Sequence, residues 1–215
     1  MKLSKYVKLV KGGSYCLVAH VENSGIWLGT RSAIYRATEL PDMEGDQVRT
    51  VLDVPEKAWS KIYLEERECA GTHDVLGMDL REFVDGEQNT KRIKMKAIYQ
   101  DTYATGLMCD DGELIFYDDA MVAPLMERFK NSSYIALVAR KTLSGRRYIV
   151  VKDGFEVLAA FMTLEVLSKE FMESLDDFQA QCMMQFMREQ QRRGFGPEED
   201  GEDPEQIGME TGGGE

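Results

Sequence analysis

Towards the C-terminal end of the chain the apolar residues Leu164, Leu167, Phe171, Leu175, Phe178, Cys182 and Phe186 recur in steps of three or four. That spacing puts them on one stripe of an α-helix. Glu165, Lys169, Glu173, Asp177 and Gln181 fall off the stripe. Flanking residues extend the predicted long amphipathic helix over residues 153–194. Asp153 is read as its N-cap, and Glu156 closes a capping box against it. Arg188, Arg192 and Arg193 lie where cations meet the negative end of the dipole, and Gly194 and Pro197 stop the helix. About 40 residues rising 1.5 Å each span about 60 Å, more than the width of a domain this size. Part of the helix is expected to project or kink, and a break near residues 162–163 would fold its first turns back. The first half of the stripe is expected to be core. The second half, rich in methionine (Met183, Met184, Met187), is expected to meet a partner.

Upstream the period changes to two. Residues 15–22 alternate strongly, with Cys16, Val18 and His20 on one face and Leu17, Ala19 and Val21 on the other. Residues 6–10, 26–28, 47–54, 92–99, 103–109, 113–117, 134–140 and 146–152 are the other predicted strands. Gly12-Gly13, Asn23-Ser24-Gly25, Asp110-Asp111-Gly112 and Ser144-Gly145 are turn signals. Short helices are expected over 30–37, over 55–68 with Pro55 at the first position, and from Asp118 or Asp119 through Phe129 with Pro124 as its weak point. Residues 69–89 are the least regular, although 75–84 hold apolar residues at near-helical spacing.

Three segments share one plan of a Tyr-led strand, a turn ending in Gly, an apolar strand and a helix. They begin at Tyr15, Tyr103 and Tyr134, with turns ending at Gly25, Gly112 and Gly145. This is either an internal repeat or the likeness that any hairpin followed by a helix has to another. On both readings the fold class is α+β: a twisted antiparallel sheet built from meander or hairpin-plus-helix units. The domain organisation is a sheet domain over 1–152, the helix over 153–194 and a disordered acidic tail over 195–215.

Charge changes this picture little. The net charge is −12, but the tail alone carries eight acids and no base, leaving −4 for residues 1–194. Direct nucleic-acid binding by the folded part is therefore not expected. No run approaches the roughly 20 apolar residues of a membrane span, and the charged N-terminal stretch is unlike a signal peptide. Four scattered cysteines (Cys16, Cys69, Cys109, Cys182) are expected as free thiols in a reducing cytoplasm.

Candidate chemistry is sparse. Cys16 and His20, like Cys69 and His73, are four positions apart. On a strand that step spans about 13 Å, too far for two ligands of one zinc ion. Cys69 and His73, in a loop, can approach, and a small enzyme using Cys69 and His73 is one reading. No nucleophile elbow, phosphate loop or paired ligand carboxylates supply a context for it, and no metal or cofactor is expected. The acidic groups around Asp110–Glu113 and Asp118-Asp119 suit a turn and a helix cap. Lys91, Arg92, Lys94 and Lys96 suit a solvated strand that resists edge-to-edge pairing. A phage- or plasmid-type inhibitor presenting acid to a nucleic-acid-binding protein is a second reading. The leading expectation is a non-catalytic interaction or assembly protein. Its partner, a second copy or another protein, would be met by Phe171, Leu175, Phe178, Met183, Phe186 and Met187.

Overall fold

Leu3, Tyr6, Val7 and Val10 share one face of a helix, α1 (Leu3–Gly13), and Tyr6, Val7 and Val10 are buried. A strand was expected over 6–10. The i, i+3, i+4, i+7 spacing wins, with Lys5, Lys8 and Lys11 left on the other side. Tyr6 then donates a 2.7 Å hydrogen bond to the carbonyl of Gly29, tying α1 to the sheet beneath it. The computed structural model describes residues 1–194, in two units, Met1–Val166 and the segment from Leu167 onward. The expected disordered tail, 195–215, lies outside the described residues.

The first unit is built on β1 (Tyr15–Val21), β2 (Gly25–Gly29), β3 (Ala33–Arg36), β4 (Tyr63–Cys69), β5 (Gln88–Tyr99), β6 (Thr102–Cys109), β7 (Leu114–Asp118), β8 (Ile135–Lys141), β9 (Arg147–Asp153) and β10 (Glu156–Met162). Their order is β4-β1-β2-β3-β10-β9-β8-β5-β6-β7. Pairing is antiparallel except between β1 and β4. The fold is thus α+β on a large, mostly antiparallel sheet. About the β3–β10 seam the central order is palindromic, β1-β2-β3 meeting β10-β9-β8.

Several expected elements differ, each for a local or tertiary reason. Within the expected helix 30–37, residues 33–36 form β3, because pairing with β2 and β10 on both sides outweighs helix propensity. Residues 47–54 fall largely in a helix, α2 (Gly45–Val51), held by a capping box between Glu44 and Gln47. The helix expected over 55–68 is one turn, α3 (Glu56–Trp59), followed by β4. The stretch 75–84 is a loop. The helix after Asp118 is split at Pro124 into a 3-10 segment (Asp119–Leu125) and α4 (Met126–Asn131).

The largest correction concerns residues 153–194. Asp153 is the last residue of β9, not an N-cap, and its carboxylate accepts a 2.5 Å hydrogen bond from Ser132. Gly154 turns the chain at φ +61°, and β10 returns between β9 and β3. The helix proper, α5 (Lys169–Gly194), is 26 residues long, about 39 Å at 1.5 Å per residue. The apolar run at 157–161 is therefore sheet core. The proposed repeat changes with it, because the first and third segments are three-stranded meanders rather than hairpins followed by helices.

Strands buried on both faces carry two cores. On one face Val18, Leu28, Tyr35, Ile149 and Phe161 pack with α1, α2 and the 3-10 segment, and with Leu107 and Ile115 of the β6–β7 hairpin. On the other, Leu17, Trp27, Ile34, Tyr148 and Val150 are covered by Val75, Met78 and Leu80 of the long loop between β4 and β5. That loop is pinned by charge. Arg140, nearly inaccessible, donates to the carbonyls of Asp79 (2.6 Å) and Arg81 (2.8 Å) and to the Glu87 carboxylate (2.7 Å). Lys152 donates to the same carboxylate at 2.6 Å.

Candidate functional site

The residues expected to meet a partner all lie on α5. Its start is set by Ser168, whose hydroxyl accepts from the backbone N–H of Phe171 at 3.2 Å. Glu170 follows in the first turn, where a carboxylate suits the positive end of the dipole. Hydrogen bonds from its own backbone N–H and from Ser168 hold the Glu170 carboxyl below its ordinary range. Ser174 donates back to the Glu170 carbonyl at 2.8 Å.

At 3.6 residues per turn, Phe171, Leu175, Phe178, Cys182 and Phe186 fall within an arc of about 80°. Met172 lies about 40° beyond one border of that arc, and Met183 and Met187 lie about 60° and 100° beyond it. Every residue from Glu170 to Arg192 is exposed, including Phe171 (49%), Phe178 (64%) and Phe186 (61%). The helix is also segregated by charge. Its first half carries Glu170, Glu173, Asp176 and Asp177 against Lys169, and its second half carries Arg188, Arg192 and Arg193 against Glu189. An aromatic stripe on a helix that also exposes methionines can bury area against another apolar surface and adapt to its shape. It offers no nucleophile or acid–base pair.

The alternative chemistry fares differently at each site. The parallel register of β1 and β4 sets Val21 opposite Cys69 and His20 opposite Glu68. Cys69 packs with the core that contains Val21 and Ala19, whereas His20 lies on the opposite face. Those two side chains cannot form a dyad. His20 instead pairs with the Asp42 carboxylate, 2.8 Å away. Cys69 and His73 do line one surface recess, together with Arg67 and Asp74. Burial pushes the Cys69 thiol up, against the weaker pull of Arg67, which disfavours a thiolate nucleophile. Among the described residues no group of three or more His, Cys, Asp or Glu side chains could hold a metal ion. The expected solvated face on β5 is exposed at Lys91, Arg92, Lys94 and Lys96, and Lys96 pairs with Asp119 at 2.8 Å.

Three buried cations, Arg140, Arg147 and Lys152, are not among the residues singled out from the sequence. Charged residues inside strongly apolar strands were the signal that could have found them. No family model, no curated protein and no solved structure matches this chain.

Proposed function

We propose that this chain is a non-catalytic interaction or assembly protein that docks a protein partner through the apolar face of α5. The observation that carries this reading is the run of exposed large apolar side chains, Phe171, Leu175, Phe178, Met183, Phe186 and Met187, on one helix with no buried residue from Glu170 to Arg192. Burying each such side chain is worth about 1.5–3 kcal/mol. Helices draw most of their stability from packing an amphipathic face. A covered stripe accounts for both the sequence pattern and the persistence of the helix.

The compartment proposed is the cytoplasm. All four cysteines are free, in keeping with reducing surroundings, and among the described residues no helix is long and apolar enough to cross a membrane. A photo-crosslinking residue placed at Phe178 or Phe186, in the native host, is expected to yield a discrete protein adduct. The same residue at Tyr134, exposed on the first unit, is expected to yield none. Absence of an adduct at both helix positions refutes the reading.

A further inference from the structure

We infer that the surface covering α5 is α5 of a second copy of this chain, lying antiparallel to it. The inference rests on the reading of α5 as a docking face and names its occupant. Two observations carry it, the segregation of charge along the helix and the symmetry of its apolar stripe.

Charge selects the direction. The half from Lys169 to Gln181 carries four acids and one base, and the half from Cys182 to Gly194 carries three bases and one acid. Parallel pairing of two copies would set acid beside acid and base beside base. Antiparallel pairing brings the basic end of each helix to the acidic first turn of its mate. A two-fold axis does this with one surface meeting itself, as closed dimers require. Opposite charges flanking an apolar seam fix orientation in this way in paired helices.

The stripe fits the same axis. With the axis between Phe178 and Gln179, Phe171 comes level with Phe186 of the second copy and Leu175 with its Cys182, while the two Phe178 rings meet near the centre. The apolar positions are thus matched in pairs about the axis. Arg188 then comes level with Lys169 and one residue from Glu170 of the other helix, and Arg192 and Arg193 reach past that helix's first residue. In this register the two Cys182 positions are offset by seven residues, about 10 Å along the axis, which no disulfide spans. In a parallel pair they would be level.

The test uses the full chain in a Cys69→Ser background, since Cys16 and Cys109 are buried. Light scattering is expected to give twice the 24.4 kDa of one chain. Mild oxidation is expected to leave this chain uncrosslinked, to crosslink it once Leu175→Cys is added, and to leave it uncrosslinked again when Cys182→Ser accompanies Leu175→Cys. Crosslinking in all three cases means parallel helices and overturns the inference. Because Leu175→Cys trims the seam, a second measurement places spin labels at Gln190→Cys, with Cys182→Ser. They are expected about 35 Å apart along the axis, whereas parallel helices would hold them level. A monomer with full helicity by circular dichroism overturns the second copy as occupant. In that case adducts from the photo-crosslinker at Phe178 still decide the docking reading by itself. A dimer indifferent to Phe178→Asp with Phe186→Asp overturns both.

Discussion

Arg140→Ala removes the side chain that pins the long loop between β4 and β5, and the structure sets the size of the loss. The guanidinium side chain is 1% exposed. It donates to the carbonyls of Asp79, Arg81 and Glu82 and twice to the Glu87 carboxylate. Truncation leaves those carbonyls without this donor and leaves Glu87 with Lys152 alone. Breaking a buried pair by removing one partner costs about 3–5 kcal/mol. Lys152 still neutralises Glu87, so the lower figure, about 3 kcal/mol, is expected here. With a urea slope of about 2 kcal/mol/M, that shifts the unfolding midpoint down by about 1.5 M. The assay is urea unfolding followed by tryptophan fluorescence, because Trp27 lies in the core that the loop covers. Arg67→Ala is the control. Its pair with Glu65 is half exposed, and exposed pairs contribute about 0–1 kcal/mol. If Arg140→Ala costs no more than Arg67→Ala, the reasoning about the buried network is wrong.

Other substitutions test separate parts of the account. Gly154→Ala is expected to destabilise by about 1–2 kcal/mol, since its φ of +61° is left-handed; in a helix starting at Asp153 the same change would stabilise by about 1 kcal/mol, so the sign of the shift in Tm decides. Gly29→Ala should cost about 1–3 kcal/mol by overpacking, because a Cβ there would stand 2.9 Å from Leu17 Cδ2, in a fully buried side chain. Burial alone would raise the Glu87 carboxyl, but hydrogen bonds from Lys152 and Arg140 outweigh it and hold the group below its ordinary range. A folded value below the unfolded one stabilises at pH above about 4.3 and loses that contribution as pH falls through the folded value. Urea midpoints at pH 6 and pH 3 should therefore converge less in wild type than in Glu87→Gln, where this part of the acid sensitivity is absent.

What could be seen in the sequence follows the range over which each element is decided. The hairpins β6–β7 and β8–β9 are local. Their alternation and the glycines at their turns, Gly112 and Gly145, both with positive φ, were enough to place them. Strand β10 is decided elsewhere. Ala159 and Ala160 favour helix by propensity, and the three-and-four spacing beginning at Leu164 prolongs the impression. What makes 156–162 a strand is pairing with Tyr35 and Ile34, more than 120 positions away. The α1 face is present in the spacing of Leu3, Tyr6, Val7 and Val10, but the weak alternation over 6–10 competes with it and favours a strand. The separation of His20 from Cys69 depends on the parallel register of two distant strands and is invisible in either segment. The stripe on α5 was legible because it is periodic within itself. Its start, at Lys169 rather than Asp153, was not, because it depends on how far the sheet claims the chain.

The most direct test of the central claim is light scattering of the full chain across a concentration series, beside the Phe178→Asp, Phe186→Asp double variant. The account predicts twice the 24.4 kDa mass for the wild type, a single-chain mass for the variant, and the same Tm for the first unit in both. An assembly of unchanged mass in the double variant would contradict the claim that the apolar face of α5 is the surface through which this protein associates.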